Sequence, residues 1–309
     1  MSEQAALLTA IAAHPKEDTP RLVYADWLDE NADALPNPNA ARICAEFIRV
    51  QCQIKRLEDP FVNETRKDEL LHGQVDLWHR QEEILENHAR ELLGELAGDV
   101  TYFDAIFDRG FLTELEVEAR VFLKHAEWIG QYRPPPRVKL NITENFDTFC
   151  GVESHWPHLH CVTACCVRVE WAWERSPPLT EFQVERFFKM CSHFARLEKL
   201  DLASCGIADR GFARLLAVAG QNMPALTDVE LEGNDITDSG VGLLVVSPLW
   251  RRLKRLSFGY SRELTEESAR LILAAASSTQ LEDVDLRSPD IPYDVLQSLR
   301  ERFGGPTFW

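Results

Sequence analysis

An α/β solenoid is the fold class this sequence predicts: a horseshoe whose parallel sheet of about seven strands is backed by helices and preceded by an all-helical cap. Three observations predict it. Apolar residues recur at starts 29, 27 and 28 residues apart through the C-terminal half, by subtraction between Leu197, Leu226, Leu253 and Leu281. Within each interval the pattern changes from strand-like to helix-like. The first hundred residues lack the repeat and read as helices. The expected division is a helical module with long helices over 1–100 and the repeat array with its own C-terminal cap over 101–309.

The elements follow in order. Ala5 to Ala13 predicts a short helix, and with Glu3 in place of basic residues it does not predict a secretory leader. Thr19 followed by Pro20 predicts an N-cap and first helical residue, opening a helix over Arg21 to Glu30. Apolar residues surround that helix nearly completely, which predicts burial between neighbours. The Asn- and Pro-rich stretch Asn31 to Asn39 predicts a loop, Ala40 to Leu57 a third helix, and Arg66 to Leu96 a long fourth.

From there strands alternate with helices. Leu115, Val138, Val162, Leu200, Val229, Leu256 and Val284 mark first core positions at intervals of 23, 24, 38, 29, 27 and 28 by subtraction. The interval of 38 predicts an insertion, placed at Trp171 to Leu179, where two adjacent prolines break both periodicities. Phe212, Leu215, Leu216 and Ala219, then Ala269, Ile272, Leu273 and Ala276, sit at helical spacing. Asp209, Asp238 and Thr265 precede helices as expected caps. Exposed solenoid ends need covering, so residues 1–100 are expected to cover the first strand and Pro292 to Trp309 the last.

The best-formed copies read L-x-x-L-x-L-x-x-C-x-I at Leu197 to Ile207, and the same with Asn234 in the ninth place at Leu226 to Ile236. This resembles the leucine-rich repeat, in its ribonuclease-inhibitor-like class, whose Asn/Cys slot matches Cys205 and Asn234. Ser261 and Pro289 occupy that slot in weaker third and fourth copies. LLTAIAAHPKEDTPRLVYADWLDE with AEFIRVQ, then RQEEILENHARELLGEL, FDRGFLTELEV and the ending LRERFGG, resemble the bacterial repeat-companion family. The loop containing PNPN is longer than in that family. The resemblance implies architecture and no activity.

Charge narrows the function. Lys and Arg number 33 against 50 Asp and Glu, a net of -17, which repels phosphate backbones and anionic lipid, so neither nucleic acid nor membrane is expected as partner. The apolar stretch Gly240 to Trp250 is too short to cross a bilayer. A mean hydropathy of -0.24 is that of a soluble globular chain. Eight irregularly spaced cysteines suggest reduced thiols and a cytoplasmic setting rather than a disulfide framework.

No phosphate loop, serine elbow or kinase signature is present, and no catalytic residue or cofactor is expected. His155, His158, His160, Cys161, Cys165 and Cys166 match no zinc spacing, so no metal is expected either. Cys205 reads as a core residue. Asp26, Asp29 and Glu30 read as surface carboxylates, with Asp26 expected to meet a basic neighbour.

The expected function is binding of a protein partner, with enzyme inhibition or regulation as the alternative and an enzyme site in the N-terminal helices as a weaker one. Strand alternation assigns Glu114, Glu116 and Glu118, then Cys161, Thr163 and Cys165, Asp201, Asp228, Glu230, Glu232, Asp283 and Asp285 to the concave face. Arg137, Lys139, Lys199, Arg255 and Arg287 share that face, leaving an acid excess that favours a partner with a basic surface. Trp171 and Trp173 are a second expected anchor.

Overall fold

A computed structural model describes residues 2–58, 67–143, 146–167 and 179–304. The chain divides into two compact units, Met1–Glu116 with Gln131–Arg137, and Val117–Gly130 with Val138–Trp309.

In the first unit lie α1 (Glu3–Ala13), α2 (Thr19–Asn31), α3 (Pro38–Glu58) and α4 (Lys67–Leu93), followed by β1 (Ala105–Asp108), which pairs antiparallel with β2 (Phe111–Glu118), whose last two residues belong to the second unit. Phe111, at the start of β2, packs in one cluster with Ile11, Tyr24, Leu28 and Ile48 of the N-terminal helices. A second cluster joins Phe47, Val50 and Ile54 of α3 to Ile84 and Leu92 of α4. The β1–β2 turn needs glycine at Gly110: φ is +84°, and a Cβ there would stand 2.6 Å from the Ile48 Cα.

Two expectations for α2 are corrected. The N-cap is Asp18, not Thr19, and its side chain makes no cap bond. Its carboxylate instead accepts from Arg56 Nε at 2.9 Å and Arg109 Nε at 2.8 Å. The helix is not buried all round either, since Val23 is 48% exposed while Arg21 is 2% exposed. Arg21 donates to the backbone carbonyls of His14, Pro15 and Glu17, which gives the buried guanidinium polar partners.

The second unit runs α5 (Ala119–Gln131), β3 (Arg137–Ile142), α6 (Phe146–Gly151), β4 (Val162–Val167), α7 (Glu181–Cys191), β5 (Lys199–Asp201), α8 (Asp209–Asn222), β6 (Asp228–Glu230), α9 (Asp238–Val245), β7 (Arg255–Ser257), α10 (Glu266–Ala274), β8 (Asp283–Asp285) and α11 (Tyr293–Phe303). From β3 to β8 each strand pairs parallel with the next. All seven expected strands are present, and β1 is an eighth. Leu140, Cys165, Leu200, Val229, Leu256 and Val284 occupy one row of partners, at intervals of 25, 35, 29, 27 and 28 by subtraction. The long interval contains residues 168–178, so most of the expected insertion lies outside the described residues. At the C-terminal end α11 packs on α10 and β8, burying Leu299 and Phe303.

Asn234 shows what the repeat slot does. Its amide donates to the Leu202 carbonyl at 2.8 Å and the Leu231 carbonyl at 2.9 Å, and its Oδ1 accepts from Ile207 N–H at 2.8 Å. One side chain thus satisfies turn groups of two successive repeats. Ser261 in the corresponding slot is fully buried with its hydroxyl lacking a partner among the described residues.

Of the three expected caps only Thr265 is one. Thr237 and Thr265 cap α9 and α10, accepting from Ser239 and Glu267 N–H. Asp209 and Asp238 instead begin their helices and reach into the next repeat. Asp209 accepts from Thr237 N–H at 2.9 Å and its hydroxyl at 2.6 Å, and Asp238 does the same for Thr265 at 3.0 and 2.6 Å. The carboxylate holds the neighbour's capping hydroxyl in place.

Candidate protein-binding face of the repeat sheet

Leu200, Val229, Leu256 and Val284 face the helices and are at most 5% exposed. Strand alternation therefore turns the flanking residues outward. Parallel register assembles them into rows. Lys199, Asp228, Arg255 and Asp283 form one row, alternating in sign across four strands, and Asp201, Glu230, Ser257 and Asp285 form the next.

The rows are stitched by ion pairs. Lys199 Nζ meets Glu230 at 2.7 Å. Arg255 pairs with Asp228, and that hydrogen bond pushes the Arg255 pKa up. Arg287 holds Asp285 with Nε at 2.9 Å and Nη2 at 2.5 Å, and stands 3.8 Å from Glu232. Exposed pairs contribute little to stability, and the Arg255 side chain is 69% exposed, so these contacts chiefly fix where the charges point.

The sequence reading is thus modified at several residues. Asp201, Asp228 and Asp285 are 7 to 8% exposed, held by the Ala203 N–H, Arg255 and Arg287 respectively. Glu230, Glu232 and Asp283 are half-buried, and Asp283 Oδ1 is buried with no hydrogen-bond partner among the described residues. On β2, Glu114 and Glu116 are exposed, while Glu118 accepts from Thr143 Oγ1 at 2.7 Å. Trp171 and Trp173 lie outside the described residues.

The outward assignment on β4 is corrected. Between Val138 and Lys139 the partner advances from Val162 to Ala164, a bulge that skips Thr163. Beyond it Ala164 and Cys166 align with Lys199 and Asp201, and Cys165 moves to the core row. One extra residue exchanges the two faces of a strand. Cys161, Thr163 and Cys165 are accordingly buried, and Cys161 ends a 3-10 helix rather than opening the strand.

Among the described residues no three His, Cys, Asp or Glu side chains are grouped to hold a metal ion. Burial pushes the Cys205 thiol up to about 12, far from a thiolate at neutral pH. Asp26 and Asp29 pair with Arg49 at 2.8 and 2.6 Å, the basic neighbour expected for Asp26. No helix among the described residues is long and apolar enough to cross a membrane.

Among curated proteins none matches the chain. Similar solved structures include the tropomodulin C-terminal domain from Caenorhabditis elegans, 12% identical over 60% of this chain and 90% of that one, with a TM-score of 0.38. Another is a protein from Bacteroides fragilis, 12% identical over 62% and 64%, at 0.40. A chain of the yeast Rad7 and Elc1 complex is 15% identical over 100% and 92%, at 0.38. A family model described as Leucine Rich repeat matches residues 197–215 and 222–245, the two copies whose Cys205 and Asn234 fill the slot, so the chain carries leucine-rich repeats.

Proposed function

We propose that this chain is a non-catalytic protein-binding scaffold whose outward face on β5 to β8 receives a partner with a basic surface. The supporting observation is the register of that face. Six acids, Asp201, Asp228, Glu230, Glu232, Asp283 and Asp285, stand with three bases, Lys199, Arg255 and Arg287, on or just beyond strands paired in parallel register. A fixed negative excess speeds encounter with a positive surface and selects against a negative one. Glu114, Glu116 and Glu118 on β2 are a secondary acidic group in this reading, and Trp171 and Trp173 a secondary anchor.

The test is affinity capture from native lysate with the wild-type chain and with a Glu230→Lys, Glu232→Lys variant. Asp228 is spared because it is buried against Arg255. Proteins recovered by the wild type should fall by about tenfold with the variant, and also when salt is raised. Equal recovery with equal salt sensitivity would remove this face as the site and leave Trp171 and Trp173 as the next to change.

A further inference from the structure

At the C-terminal ends of β6, β7 and β8, side chains from three successive repeats converge on a residue that has none. A Cβ on Gly259 would lie 3.0 Å from Asp285 Oδ2 and 3.3 Å from Glu232 Oε1, so carboxylates from the strands on either side close in over its bare Cα. Two carboxylates this close repel unless a cation stands with them. Arg287 is that cation, and it serves the two unequally. Its Nε and Nη2 grip Asp285 at 2.9 and 2.5 Å, whereas Glu232 is left at 3.8 Å and accepts at close range from Ser257 Oγ at 2.8 Å.

Tyr260 completes the cluster. The residue is 64% exposed; its ring lies against the Arg287 guanidinium at 4.9 Å, and its hydroxyl accepts from Arg287 Nη1 at 3.2 Å. The corresponding turn positions hold Ser204 at φ +57° and Gly233 at φ +64°, and Tyr260 at φ +58° is the bulky residue of the three. A large side chain in the left-handed region costs conformational energy that glycine avoids.

We propose that Glu232, Ser257 and Tyr260 form a seat for an arginine side chain of the partner, beside the position Arg287 fills. This rests on the scaffold reading and names the chemistry it recognises. The two carboxylates and Arg287 sum to one negative charge, which a second guanidinium neutralises. Its planar fork pairs with Glu232, and its face stacks on an aromatic ring that already carries one guanidinium. A lysine supplies charge but neither the fork nor the stacking plane.

The test is titration of the full chain with two capped tetrapeptides of equal charge, Gly-Arg-Arg-Gly and Gly-Lys-Lys-Gly, by calorimetry. Wild type should bind the arginine peptide about threefold more tightly. Tyr260→Gly suits the left-handed backbone and keeps the turn, and it should abolish that preference while sparing the lysine peptide. Arg287→Ala frees Tyr260 and Asp285 and should tighten the arginine peptide. Equal affinity of wild type for both peptides, or a preference that survives Tyr260→Gly, overturns the seat. If lysate capture depends on Glu230 and Glu232 but the peptide preference does not depend on Tyr260, the seat fails and the scaffold stands. A Tyr260-dependent preference without any captured protein keeps the seat and removes the scaffold.

Discussion

The helical unit and the repeat unit satisfy their buried polar groups in opposite ways. In the first, Arg21 reaches three carbonyls of the α1–α2 loop, and Gln51 accepts from Gly110 N–H at 2.5 Å across 59 residues of sequence. Each link occurs once. In the repeat unit the Asp209–Thr237 and Asp238–Thr265 links are the same contact shifted by one repeat, and Asn234 bridges its own turn to the previous one. A periodic link leaves a periodic trace in sequence. A solitary one does not.

Removing the most heavily bonded link of the repeat unit should have the largest effect. Asn234→Ala leaves two buried carbonyls and one buried N–H unsatisfied at 3% exposure, and should destabilise the repeat unit by about 3 kcal/mol. Chemical denaturation reads this, and a loss under about 1 kcal/mol would mean that water replaces the amide.

The solitary link should come next. Arg21→Met removes a guanidinium whose carbonyl partners lie on a surface loop that water can reach, so the expected loss is about 2 kcal/mol. Hydrogen exchange should show it confined to α1 to α3. Protection lost equally across β5 to β8 would show that the two units unfold together.

Ser261→Ala sharpens the contrast from the other side. A buried hydroxyl without a partner is a cost, so its deletion should stabilise by up to about 1 kcal/mol. Destabilisation would reveal a partner for it in solution.

The smallest expected effect is a dependence on pH. Burial raises the Asp238 pKa, but hydrogen bonds from Ser268 and Thr265 outweigh it and hold the carboxyl below its ordinary value. A carboxyl depressed in the folded state stabilises above its unfolded pKa, near 4, and that stability is lost as pH falls through the folded value. Thermal melting of Asp238→Asn should therefore fall less steeply than wild type below pH ~4 and differ little in slope near neutrality. Parallel melting curves across that window would show that the ladder holds without ionisation.

The packing of Phe111 against the N-terminal helices came from the structure, whereas the sequence by itself determined the repeating strand and helix order, the seven strands, the Asn234 slot and the core face of α8. These rest on apolar spacing, which burial enforces at every turn of the repeat. It also placed Lys199, Asp228, Arg255 and Asp285 on one face by alternation. Only the tertiary structure decided the β4 register, because a single extra residue at Thr163 reverses the two faces without altering composition. It alone decided that Asp209 and Asp238 serve the next repeat's threonines, since a side chain's donor comes from whichever backbone lies nearest in space. The same holds for Asp18, drawn to Arg56 and Arg109 instead of its own helix, and for Glu232 and Tyr260, brought beside Arg287 by stacking of strands 27 or more residues apart by subtraction.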